Sequence, residues 1–215
     1  MNLKVSLDEF RNEFLAKIPP EASALMNNET LKLEQEFNSR ELLKIGDIAP
    51  DFTLPNASDE QINLQNYLAK GAVILSFYRG GWCPYCNLEL RAYQQLLPEI
   101  KSIGASLIAI SPQTPDNSLS TAEKNELEFD VLSDVGSEVA KAYGLIFTLS
   151  DKLQKLYANW GASLPEINGM DNWTLPVPGT FVIGPDGRII LADVNVDYTQ
   201  RLEPTKALEA IKNLI

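Results

Sequence analysis

The run from Ala72 to Tyr78, AVILSFY, constrains this chain more than any other segment. It is too short for a buried helix and apolar on nearly every position, which reads as a strand inside a sheet. A helical pattern follows at once over Pro84 to Ile100, with Leu90, Tyr93, Leu97 and Ile100 on one face. The alternation continues. Leu107 to Ile110 reads as a second apolar strand, a polar helical stretch runs through about Asn125, and Phe129 to Leu132 gives a short strand. Ser137 to Tyr143 reads as a helix that Gly144 is placed to stop. Thr180 to Ile183, the turn Pro185-Asp186-Gly187 and Ile189 to Ala192 form a β-hairpin pattern, and Pro204 to Leu214 closes the chain as a helix. Strands alternating with helices predict an α/β fold, a central mixed sheet flanked by helices on both faces.

Two regions stand outside this rhythm. Residues 1–45 read as a helical N-terminal extension to a domain over 46–215. Ser6 and Glu9 suggest a capping box, Leu7, Phe10, Phe14 and Ile18 recur at helical spacing, and Pro19-Pro20 ends the helix. A second helix is expected over Glu21 to Phe37. These helices need an apolar surface to pack on, either the main domain or a second copy of the chain in a homodimer. Residues 145–176, an insertion containing Trp160 and Trp173, follow no single pattern.

Composition removes several function classes. With 18 basic and 29 acidic residues the net charge is −11, a field that repels a phosphate backbone, so nucleic acid is not an expected partner. The N-terminus has no apolar signal region and no run is long enough to span a bilayer, so a cytoplasmic protein with no membrane partner is expected. There is no histidine, which excludes Cys-His and Ser-His catalytic pairs. No metal or other cofactor is called for.

The only two cysteines, Cys83 and Cys86, sit in Trp82-Cys83-Pro84-Tyr85-Cys86, where the buried strand passes into the helix. A thiol at a helix N-terminus faces free amides and the positive end of the macrodipole, which favour thiolate. Arg79 adds a positive charge upstream, and Pro84 suits the first helical turn. Cys83 is therefore the expected nucleophile, exposed and acidified. Cys86, one turn further in and shielded, is the expected resolving thiol. Two blander readings stand beside this one: half of a zinc site shared across a dimer, or two inert buried cysteines. Val177-Pro178-Gly179-Thr180-Phe181 places a proline at the start of a strand. Taken alone, that proline reads as a plain beginning of the strand.

Ser76 to Cys86, with Ile48-Ala49-Pro50-Asp51-Phe52 and Pro178 to Ile183, resembles the peroxiredoxin-like branch of the alkyl hydroperoxide reductase/thiol-specific antioxidant family. The resemblance spans about residues 46–215 and implies a thioredoxin-like fold, with Pro178 as a cis-proline facing the cysteine pair. Val177, Pro178, Arg79, Trp82 and Pro84 are then candidate supporting residues around Cys83 and Cys86. The match departs from typical peroxiredoxins at the threonine and proline that precede the peroxidatic cysteine, which are here Gly80 and Ser76. The arginine that polarises the peroxide gives way to Pro178, leaving Arg79 as the candidate guanidinium.

Two activities follow. One is a peroxidase that reduces hydroperoxides through a Cys83/Cys86 dithiol–disulfide cycle, with a thioredoxin-like or small-thiol electron donor. The other is a disulfide reductase or isomerase using the same Cys-Pro-Tyr-Cys centre. A third class, a redox-responsive interaction protein, would use the N-terminal helices and the insertion as its surface. Gln113, after the second strand, reads as a turn residue.

Overall fold

Two helices open the chain. α1 (Leu3–Lys17) is capped by Asn2, whose side chain accepts the Val5 amide at 3.1 Å. Ser6 lies within the helix, so the expected capping box is not the start: asparagine caps as well as serine and begins the helix earlier. The Glu203 carboxylate, far along the chain, accepts the Leu3 and Lys4 amides at 3.3 and 2.6 Å. Pro20 starts α2 (Pro20–Phe37) at the position where its missing N–H leaves no bond unmade.

The computed structural model describes residues 2–214. Beyond α2 the order is β1 (Thr53–Pro55), β2 (Gln61–Asn63), α3 (Leu64–Leu68), β3 (Val73–Phe77) and α4 (Pro84–Ser102). Next come β4 (Ser106–Ser111), α5 (Pro115–Lys124), β5 (Asp130–Ser133), α6 (Glu138–Ala142) and β6 (Ile146–Thr148). The chain finishes with α7 (Asp151–Asn159), α8 (Leu164–Asn168), β7 (Thr174–Pro176), β8 (Gly179–Ile183), β9 (Ile189–Val194) and α9 (Pro204–Lys212).

Five strands form one sheet in the order β5-β4-β3-β8-β9. β3 and β4 are parallel, as are β4 and β5, each pair joined through a helix. β8 runs antiparallel to both β3 and β9. The sheet is mixed, as expected. Every residue of β3 is buried, because the strand is covered on both faces. Val73, Leu75 and Phe77 join one core with Phe52, Ile110 and Phe181. Ile74 points the other way, into a core with Tyr93, Leu97 and Leu208 from α4 and α9.

Residues 145–176 are ordered by a β-ribbon that the sequence pattern concealed. β6 pairs antiparallel with β7, and α7 and α8 fold between them over Leu149, Leu153, Tyr157, Leu164 and Leu175. Trp173 packs against this small core. α1 finds its cover within the chain: Leu3 and Leu7 are buried in the same cluster as Cys83, Cys86 and Leu90. No described helix is long and apolar enough to cross a membrane.

Candidate active site

β3 delivers the chain to the site and α4 receives it. Between them, Arg79 to Trp82 make a tight passage whose shape depends on glycine. Gly80 has φ +138°, and a Cβ there would lie 2.5 Å from the Trp82 indole Nε1. The place of the family's threonine is thus filled by a tryptophan ring. A Cβ on Gly81 would come 2.2 Å from Thr121 Oγ1. The Gly81 amide donates to Gln113 Oε1 at 2.7 Å, and Asn87 Nδ2 donates to the Gly81 carbonyl at 2.8 Å. Asn125 holds Asn87 in turn, at 3.0 Å. Gln113 is therefore no simple turn residue; it fixes the loop before the cysteines.

Cys83 is the N-cap residue of α4, with its own side chain free of any capping bond. It is buried, at 2% exposure, and Cys86 is fully buried. The exposure expected for Cys83 is not observed, because Phe10 of α1 and Tyr198 pack onto the cluster that contains it. The two thiols are nonetheless unlike. Burial alone would push the Cys83 thiol up, but a hydrogen bond from Cys86 and the charges of Arg79 and Arg201 bring it down to about 6. Burial, the bond to Cys83 and the Cys83 charge hold Cys86 well above the usual thiol range. One thiol is acidified and its neighbour kept protonated.

Arg79, 2% exposed, donates to the Tyr157 hydroxyl at 2.8 Å. Its guanidinium lies over the rings of Tyr198, Trp82 and Tyr157, at 4.3, 5.0 and 5.4 Å from their centroids. Among the described residues it has no carboxylate partner within salt-bridge distance. A buried cation caged by aromatic faces is held by their quadrupoles and left free to balance a nearby anion.

Sequence reasoning missed Arg201 and Glu89. Arg201 Nε donates to Glu89 Oε2 at 2.6 Å, and its Nη2 reaches Cys86 Sγ at 3.4 Å. Both side chains of this ion pair are almost wholly buried. Burial pushes the Glu89 carboxyl up to about 7, against the pull of Arg201. Glu89 lies one helical turn after Cys86, so its neighbourhood was readable; Arg201, more than a hundred residues away, carried no local signal.

A cavity of about 430 Å³ opens on Cys83, with Arg79, Trp82 and Pro84 in its wall. Arg79, Trp82, Pro84 and Cys83 are thus brought together. Pro178 lines a separate cavity of about 230 Å³ that shares Arg79, Tyr157 and Tyr198. Val177 is buried and donates its amide to the Leu145 carbonyl at 2.8 Å. The cis-proline expected from the resemblance is absent: among the described residues every peptide bond is trans. The Val177 amide is tied to Leu145 and the Pro178 carbonyl accepts from Asn195, so the chain enters β8 extended, in the ordinary isomer.

A β3–loop–α4 cysteine pair on a mixed sheet of this order defines a thioredoxin-like thiol oxidoreductase scaffold. The family model for the AhpC/TSA family matches residues 45–192, and the chain belongs to that family. Its relatives include thiol-disulfide oxidoreductases and peroxiredoxins. Thiol-disulfide oxidoreductase ResA of Bacillus cereus is 28% identical over 155 residues, 72% of each chain. Peroxiredoxin Bcp of Escherichia coli is 34% identical over 103 residues, 48% of this chain and 65% of that protein. Among solved structures, peroxidoxin BcpB of Mycobacterium tuberculosis superposes with a TM-score of 0.64 at 24% identity, covering 80% of this chain and 99% of that one.

Proposed function

We propose that the protein is a thiol peroxidase with Cys83 as the peroxidatic cysteine and Cys86 as the resolving one. The observation that carries this reading is the asymmetry of the pair: Cys83 brought down to about 6 beside a carboxylate-free Arg79, Cys86 kept protonated behind it. At neutral pH Cys83 is then mostly thiolate, the form that attacks.

The thiolate attacks the terminal oxygen of a hydroperoxide. An S–O bond forms as the O–O bond breaks, and the departing oxygen takes up a proton and leaves as alcohol or water. Cys83 becomes a sulfenic acid, oxidised by two electrons. Arg79 stabilises the negative charge that develops on the leaving oxygen, replacing the family's missing arginine and the hydroxyl lost at Gly80. Cys86 then gives up its proton, its developing thiolate facing Arg201 Nη2 at 3.4 Å, and attacks the Cys83 sulfur. The sulfenic hydroxyl leaves with that proton as water, and the disulfide closes. A thioredoxin-like dithiol or a small thiol returns the two electrons, which suits a reducing cytoplasm. In this reading residues 46–215 are the redox domain, and residues 1–45 are a helical extension that roofs its site.

A second reading is supported by Gly80, where the indole of Trp82 leaves no room for a hydroxyl, and by the ResA-type relatives. In it the same centre reduces disulfides. Replacing Cys83 by serine tests the first reading: hydroperoxide consumption should be abolished, and a variant that still turns over would falsify it. A Cys86→Ser variant separates the two. It should accumulate sulfenic acid on Cys83 after peroxide, whereas a disulfide reductase accumulates mixed disulfides with its substrate.

A further inference from the structure

Arg79 stands between two cavities. One opens on Cys83; the other, of about 230 Å³, lies beneath α2 and against β6 and α7. Leu33, Phe147 and Leu153 give this second cavity apolar walls, and Glu29, Lys32 and Glu36 line it as well. Those three charges are already matched. Lys32 meets Glu29 at 2.6 Å, and Glu36 pairs with Arg40. Arg79 is the exception. It is buried, its Nε has no hydrogen-bond partner, and among the described residues no carboxylate lies within salt-bridge distance of it. Its charge and that of the Cys83 thiolate act on each other.

We propose that this second cavity binds a small organic carboxylate on Arg79, at the expense of the negative charge on Cys83. A guanidinium offers a carboxylate two parallel N–H donors, and this one is already out of water, so only the ligand is desolvated on binding. The apolar walls favour a short hydrocarbon chain behind the carboxylate, and about 230 Å³ limits it to a few carbon atoms. One cation cannot fully balance two anions. The carboxylate and the Cys83 thiolate therefore oppose each other, and any change that removes the Cys83 charge tightens the site. Of the other charged or titratable groups that act on Cys83, namely Cys86, Arg201, Tyr85 and Tyr198, only Tyr198 also lines this cavity. Burial holds its phenol well above the usual range, so it stays neutral at pH 8. The site is defined by Arg79 and its cavity, and holds whether Cys83 acts on peroxides or on disulfides.

Calorimetry at pH 8 measures isovalerate binding to the Cys83→Ser protein and to the reduced native protein, whose Cys83 is then thiolate. Binding is expected to be about tenfold tighter without the thiolate. The same tenfold, read from the other side, is a rise of about one unit in the pH inflection of Cys83 alkylation at saturating isovalerate. Leu33 lines this cavity and not the one over Cys83. Leu33→Trp, made in the Cys83→Ser protein, should therefore abolish binding; made alone, it should leave the inflection measured without isovalerate unmoved. Isoamyl alcohol, of the same shape but uncharged, should bind much more weakly. No binding of isovalerate, equal affinity for the two proteins, binding that survives Leu33→Trp, or equal binding of the alcohol overturns the proposal.

Discussion

At the scale of single residues the site is an arrangement of two buried cations around two buried thiols. Arg79 faces Cys83 with aromatic rings for company, while Arg201 faces Cys86 with a carboxylate of its own. The first cation is available to an anion; the second is largely neutralised. Replacing Arg79 with methionine should therefore raise the Cys83 pKa from about 6 by about one to three units. Alkylation by iodoacetamide, followed against pH, should show its inflection shift upward by that amount. An unmoved inflection would mean the helix terminus and Cys86 suffice.

The Glu89–Arg201 pair gives a second residue-scale expectation. Removing one partner of a buried pair leaves an uncompensated charge, so Arg201→Met should cost about 3–5 kcal/mol in urea unfolding. The sign of its pH dependence follows from Glu89. Its folded pKa, about 7, lies above the ordinary 4.5, so its contribution is full below 4.5 and is lost as pH rises through 7. Without Arg201 the folded pKa of Glu89 rises further, stability is lost over a wider pH window, and the variant's loss should be larger at about pH 8 than at about pH 5. A loss independent of pH would show that Glu89 is ionised throughout.

At the scale of elements, α1 matters because it is fastened at its start. Leu3 and Leu7 are buried beside α4, and Glu203 accepts the first free amides of the helix. A carboxylate at a helix N-terminus also meets the positive end of its dipole. Glu203→Ala should cost about 0.5–2 kcal/mol of stability, as capping losses do, and loosen the roof over Cys83. Faster alkylation of Cys83 in the folded variant checks this, and an unchanged rate would show that α1 does not limit access. The strand–helix alternation from Ala72 onward was legible because β3, β4 and β8 are buried on both faces and α4 carries one apolar stripe. β6 and β7 were not, since strands of three residues hold too few positions to show a period.

At the scale of the whole molecule, the sequence located the cysteine pair but not the chamber above it. The motif's chemistry is local: a strand, two glycines and a helix start set it within a dozen residues. Burial of Cys83 is not local. It needs α1, the end of α7 and Tyr198 to converge, and nothing in Leu7, Phe10, Phe14 and Ile18 as a helical stripe says which surface the stripe covers. The resemblance likewise implied a cis-proline at Pro178, and the plain reading of that residue as the beginning of a strand is the one the fold adopts. The backbone at Pro178 is set by its tethers at Leu145 and Asn195, which lie outside any short motif.

The most direct test of the central claim is stopped-flow mixing of the reduced protein with hydroperoxide while tryptophan fluorescence is followed. Trp82 adjoins Cys83, and its ring lies against Arg79 and Tyr157. Oxidation of the thiolate removes the charge beside that ring, so a fluorescence phase linear in peroxide is expected. Its rate constant should stand orders of magnitude above that of a simple thiol at the same pH. A rate no faster than that of a free thiolate would contradict a peroxide-activating site, and the Cys83/Cys86 centre would then belong to disulfide chemistry.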